Sequence, residues 1–231
     1  MCGRFTLRRA EVVRKFFDIH TSIVPGFEEF TERPRFNIAP SQHVPVVRLN
    51  SKGERTLSLV RWGLIPSWTK GKPKVQPINA RAETVDSGGM FRQAFERRRC
   101  LVPIDGFYEW RKNVDGSKQP MFIHHEDDTP FALAGLWERW SPDENADPID
   151  TMTIVTTTPN SLMASIHDRM PVILAERDYA RWLDRDVSGS DVVPLLKPYE
   201  GSDLKATPVS PHVNSPRNDD PRCVEAVNEN A

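Results

Sequence analysis

Two apolar, β-branched runs on either side of a short polar turn constrain this chain more than anything else in it. VPVVRL at 44–49 leads through Asn50–Glu54 into RTLSLVRWGL at 55–64. Such a pair reads as a β-hairpin, which commits the chain to a sheet. The later sequence repeats the theme. RCLVPIDGFYEWRK, residues 99–112, reads as one strand ending in a turn at Asn113–Gln119. MFIHHE and FALAGLWERW read as strands paired across Asp127–Pro130, and TMTIVTTTP at 151–159 is β-branched along most of its length. Helical patterning is brief. Residues 9–20 place Val12, Val13, Phe16, Phe17 and Ile19 on one side of a helix. Further short helices are expected near 89–98, 160–166 and 180–184. Residues 21–40, broken by Pro25, Gly26, Pro34 and Pro40, read as loop, and the chain after 184 as mostly extended and loop. Strands do not alternate with helices as βαβ units require. The expected class is α+β with a largely antiparallel sheet. No repeat or linker divides the 231 residues, so one domain is expected, with 215–231 as a loose C-terminal tail.

Composition narrows the class of protein. An apolar content of 38% supports a real core, and no apolar run approaches the roughly 18 residues of a membrane span. MCGRFTLRRAEVV lacks the apolar stretch of a secretory signal, and nothing hydrophobic precedes Cys2 as in a lipoprotein signal. A cytoplasmic location is expected, nucleoid-associated in a bacterium and nuclear in a eukaryote. The three cysteines, at 2, 100 and 223, are an odd number and do not have metal-ligand spacing. They indicate neither a disulfide framework nor a metal, and no cofactor is expected. Cys100, inside a strand, reads as a small buried apolar residue, and Cys223 as incidental. The net charge of −1 hides an asymmetry: residues 1–100 carry 19 Lys/Arg against 9 Asp/Glu. A basic half can form a surface for phosphate. Alternatively the two halves interleave and their charges pair.

Chemistry starts at Met-Cys-Gly. Removal of Met1, which a small second residue permits, would leave Cys2 as a 1,2-aminothiol. Its amine and thiol have reference pKa values of about 8 and 8.5. An aldehyde would condense with the amine to an imine, and the thiol one carbon away would close a five-membered thiazolidine. That closure is intramolecular and gains from high effective molarity. The alternative is that position 2 is arbitrary and Met1 stays. Glu109, among aromatics in GFYEW, is placed for partial desolvation and acid/base work, or else for a salt bridge. His167 in ASIHDRMP follows a short helix and could shuttle protons, although it is one of six histidines. Asn79 and Arg81 in PINARAET follow a loop carrying Lys70, Lys72 and Lys74. Asn could hold an amine or thiol, Arg could fork a phosphate, and Trp68 in the loop could stack a base or pack in the core.

Together these segments resemble the SRAP family, the SOS response-associated peptidases or abasic-site processing proteins. The resemblance rests on MCGRF, RFNIAPSQ, RWGLIPSW, NARAET, RRCLVPIDGFYEW, FALAGLWE, TIVTTTPN and IHDRMPVIL, in that order. Residues 141–150 form the longest unmatched stretch. The resemblance implies a distorted antiparallel, barrel-like β-core with peripheral helices and a positive groove for single-stranded DNA. It implies a thiazolidine crosslink between Cys2 and the opened sugar of an abasic site, shielding that site from cleavage. Asn79, Glu109 and His167 would be the catalytic partners. Arg4, Arg81 and Arg92 would meet phosphate, with Asn37, Pro40, Trp68 and Phe91 lining the groove. Weak lyase and autoprocessing peptidase activities, replication-associated partners and a monomeric state complete the expectation. Rival readings are a cysteine hydrolase using Cys2, His167 and Glu109, and a non-covalent single-strand binder.

Overall fold

The computed structural model describes residues 2–21, 26–28, 32–87 and 89–228. In chain order the strands are β1 (Phe5–Leu7), β2 (Arg35–Ile38), β3 (His43–Leu49), β4 (Arg55–Trp62), β5 (Asn79–Arg81), β6 (Arg99–Ile104) and β7 (Gly106–Lys112). They continue with β8 (Lys118–His125), β9 (Phe131–Trp140), β10 (Ile149–Thr157), β11 (Met170–Pro171), β12 (Ile173–Leu174) and β13 (Leu204–Pro208). The described helices are short: α1 (Ala10–Phe16), α2 (Arg92–Arg97), α3 (Ser161–Ala164), α4 (Tyr179–Leu183) and α5 (Gly189–Val192).

The expected hairpin forms as β3 and β4, in register from His43↔Arg61 to Leu49↔Arg55. Its turn is built by Asn50, whose Oδ1 accepts from the N–H groups of Lys52 and Glu54, and by Gly53 at φ +77°. That backbone conformation favours glycine. The hairpin belongs to a closed ring of strands, β10–β4–β3–β6–β9 and back to β10. Closure leaves the ring no free edge. The β10–β4 and β10–β5 pairings are parallel, while the other ring pairings are antiparallel. A second, antiparallel sheet runs β13–β8–β7–β1–β2. The α+β class with a barrel-like core is therefore the observed architecture. One apolar core joins the two sheets, for example where Phe5 of β1 meets Trp62 of β4 at 5.1 Å between ring centroids.

Four local expectations are corrected. The strand expected over 99–112 is two strands in different sheets, broken at Asp105. The Asp105 carboxylate accepts from Thr6 Oγ1 (2.5 Å), Arg8 N (2.5 Å), Arg8 Nε (3.0 Å) and Arg9 N (3.1 Å). These bonds turn the chain from the barrel into the second sheet. Gly106 is needed beside it, because a Cβ there would lie 2.3 Å from Phe122 Cε2. The strands containing MFIHHE and FALAGLWERW do not pair: β8 joins β7 and β13, while β9 joins the ring. Residues 35–38, read as loop, form β2 against β1; residues 22–25 and 29–31 of that stretch lie outside the described residues. Lastly, the segment from 215 to 228 is packed. Asp219 accepts from the backbone N–H groups of Phe36 and Asn37 and bonds Arg35, Cys223 is buried, and Ala226 bridges Val209.

Candidate active site

The pairing of β1 with β7 determines what surrounds Cys2. Phe5 faces Phe107, and the N–H of Tyr108 donates to the Arg4 carbonyl at 3.0 Å. In an antiparallel pair, each step back on one strand is a step forward on the other. The residues before Arg4 therefore run alongside Glu109. Cys2 is fully buried there, and Glu109 nearly so. From the barrel side, β5 is held parallel to β10 with Asn79 opposite Ile154. Asn79 Nδ2 donates to the Cys2 carbonyl at 3.0 Å. Its Oδ1 is buried and has no hydrogen-bond partner among the described residues. His167 arrives from the far end of β10. Asn160 caps α3 by accepting from Met163 N at 2.9 Å, and the His167 N–H donates to the Met163 carbonyl at 2.8 Å. This tight turn sets His167 Nε2 3.9 Å from Glu109 Oε2. Four residues separated by up to 165 positions in sequence are thus brought together.

Electrostatics follow from this enclosure. In the chain that still carries Met1, burial pushes the Cys2 thiol well above its ordinary pKa; the charge of Glu109 raises it further, and the charge of the amino terminus opposes both. The Glu109 carboxyl is also pushed up by burial, against the pull of the amino terminus and of His167. Desolvation disfavours both anions. His167 Nδ1 accepts from the Arg169 N–H at 3.0 Å and lies 2.8 Å from Asp168 Oδ1. The first contact suits a ring with its proton on Nε2; the second suits one with a proton on Nδ1.

Comparison with known proteins decides the family. The profile of "SOS response associated peptidase (SRAP)" matches residues 1–216. The chain belongs to the SRAP family. It is 40% identical over 230 residues to "Abasic site processing protein YoqW" of Bacillus subtilis (strain 168), covering 98% of this chain and 100% of that one. It is 33% identical over 228 residues to "Abasic site processing protein HMCES" of Gallus gallus, covering 84% of this chain and 67% of that protein. A crystal structure of a protein from Bacteroides thetaiotaomicron superimposes with a TM-score of 0.85 at 26% identity, covering 98% of this chain and 100% of that one.

The remaining residues singled out from the SRAP resemblance divide into two groups. Trp68 is 63% exposed, Arg81 and Arg92 are exposed, and Pro40 and Phe91 are half-buried. Lys70, Lys72 and Lys74 are exposed beside Trp68. Arg4 and Asn37 are engaged inside the fold. Arg4 donates to Asn37 Oδ1 and to the carbonyls of Val213 and Asn214, while Asn37, fully buried, donates to the carbonyls of Val213, Ser215 and Asn218. They fasten the C-terminal segment to the strands beneath Cys2. Sequence reasoning passed over Arg169, two residues after His167. Its guanidinium forks Glu83 at 2.5 and 2.9 Å and donates to the Thr156 carbonyl at 2.8 Å, tying the His167 turn to the NARAET segment. Its place in HDR, next to the histidine, was the available signal. Cysteine spacing gave no sign that His212, Asp220 and Cys223 bring ligand-type atoms within 4.8 Å of one another. Arg222 donates to both Asp220 oxygens.

Proposed function

We propose that this chain processes abasic sites in single-stranded DNA, capturing the opened sugar through Cys2 once Met1 is removed. The names of its relatives support abasic-site processing. The observation that carries the covalent reading is the enclosure of Cys2 by Asn79, Glu109 and His167.

The abasic sugar rests as a cyclic hemiacetal. His167 donates a proton from Nε2 to the ring oxygen, the bond from that oxygen to C1′ breaks, and the C1′ hydroxyl proton passes to water, freeing the aldehyde. The α-amine of Cys2 adds to the aldehyde carbon, and loss of water gives the iminium. Asn79 holds the Cys2 carbonyl, and its buried Oδ1 accepts from the amine during addition. The thiol then adds to the iminium carbon, forming the C–S bond while its proton passes to the Glu109 carboxylate. One water is released overall. A neutral thiol is a poorer first nucleophile than a free amine, which supports this order. Ring closure also removes the electron sink that would drive β-elimination of the 3′ phosphate. Weak lyase activity is accordingly what remains when closure fails. Exposed Trp68, with Arg81 and Arg92, supplies stacking and phosphate contacts along the strand.

The family description also names peptidases. Thiolate attack on a peptide, including removal of Met1 by this same site, would have to overcome the burial of Cys2. The test is Cys2→Ala with single-stranded DNA carrying one abasic site, read on a denaturing gel. The heat-stable adduct should vanish, with strand cleavage persisting or rising. An adduct of wild-type yield in Cys2→Ala would overturn the proposal.

A further inference from the structure

Residues 141–148 have no part in the site described above, yet they touch the loop that carries Trp68. Trp140 closes β9, is nearly buried, and donates its indole N–H to the Thr69 carbonyl at 2.6 Å. Two residues on, the Pro142 carbonyl accepts from the Gly71 N–H at 3.4 Å. Lys70 stands between the two bonded loop residues, and Asp143 directly follows Pro142. The stretch from 141 to 150 holds Asp143, Glu144, Asp147 and Asp150 and no basic residue. Asp150 is neutralised within the fold by Arg48 and Arg139, at 2.7 and 2.8 Å. Asp143, Glu144 and Asp147 are exposed and form no ion pair among the described residues. On the loop tied to this segment, Lys70, Lys72 and Lys74 are exposed as well. The segment that carries three exposed carboxylates is thus tied by two hydrogen bonds to the loop that carries three exposed lysines. Exposed charges interact over about one Debye length, about 8 Å at physiological ionic strength.

We propose that the 141–148 loop is a built-in electrostatic competitor of nucleic acid, holding three carboxylates beside the Trp68–Lys74 loop so that single strands bind with moderate rather than maximal affinity. The inference rests on the single-strand reading above. A strand's phosphates must displace the influence of these carboxylates on the lysines. Because the competitor is tethered by backbone and indole hydrogen bonds, it acts on every binding event. Its effect falls on capture of the strand and leaves the chemistry at Cys2 untouched.

The test compares wild type with D143N/E144Q/D147N, using a fluorescent undamaged single-stranded oligonucleotide for affinity and an abasic one for adduct formation. A control, E126Q/E176Q/D186N, removes the same charge from exposed positions on other segments. The loop variant should bind about 3- to 10-fold tighter at low salt, and the gain should shrink below about 2-fold near 0.5 M salt. The adduct rate at saturating protein should not change. An unchanged or weaker affinity in the loop variant, or an equal gain in the control, would overturn the inference while leaving the proposed function intact. Failure of wild type to bind the undamaged strand at any salt would instead remove the single-strand reading, and this inference with it.

Discussion

Cys2 is buried in the chain that still carries Met1, while Trp68 keeps 63% of its surface in water. The two residues mark the extremes of the proposed site. Around Cys2, position follows from strand register: β1 against β7 brings the amino-terminal residues to Glu109, and β5 along β10 brings Asn79. Around Trp68, residues 66–78 have no strand or helix to hold them, and the ties described above connect them to 140–142. The enclosed region suits bond making, because desolvation keeps Glu109 able to exchange a proton nearer neutral pH than an ordinary carboxylate. The open region suits capture, since stacking and phosphate contacts need surface.

That division can be broken from either side. The largest effect belongs to the enclosed side. Glu109→Gln should slow adduct formation by about 10²- to 10⁴-fold at saturating protein, the usual contribution of a positioned acid/base, with little change in strand affinity. Wild-type rate should also fall as the pH is lowered through a value above the ordinary carboxylate range, because the base form is lost; the Gln variant should lack that limb. A Gln variant with normal rate and weakened binding would reverse the assignment. On the open side, Trp68→Ala should weaken binding by about 1–3 kcal/mol, the typical value of one stacked base, and leave the saturating rate within about 2-fold. A large fall in the saturating rate would mean that Trp68 reaches into the chemistry.

The smallest effect is on stability. Burial raises the folded-state pKa of Glu109 above its unfolded value, so the stability tied to its neutral form is full below about pH 4.3 and is lost as pH rises through the folded value. Chemical denaturation of wild type and Glu109→Gln should therefore show the variant gaining relative stability from pH 4 toward pH 8. A constant difference across that range would mean that Glu109 is not desolvated.

The same contrast explains what could be read from sequence. The β3–β4 hairpin was legible because its pattern and its Asn50–Glu54 turn are local. Cys2, Asn79, Glu109 and His167 could be singled out as candidates because each sits in a short motif of distinctive chemistry, and the fold places Asn79 against Cys2 and His167 against Glu109. The break at Asp105 was not, since the partners that turn the chain there, Thr6 and Arg8, lie nearly a hundred residues away. Nor was the engagement of Arg4 and Asn37, because their acceptors are backbone carbonyls at 213–218, contributed by a segment that reads as tail. Carbonyl acceptors leave no trace in residue identity. For the acidic stretch at 141–150, the sequence showed the charge but not the loop to which Pro142 is bonded.

The central claim is that the α-amine of Cys2 reacts first and the thiol second. It is tested most directly by a chain with one residue inserted between Met1 and Cys2, chosen so that a residue stays joined to the Cys2 nitrogen. This variant keeps the thiol, Asn79, Glu109 and His167 but has no free amine on Cys2. Intact mass after incubation with abasic single-stranded DNA should show no adduct, while wild type is converted to the mass of protein plus DNA less one water. An adduct formed through Cys2 at wild-type yield in the extended chain would contradict the account.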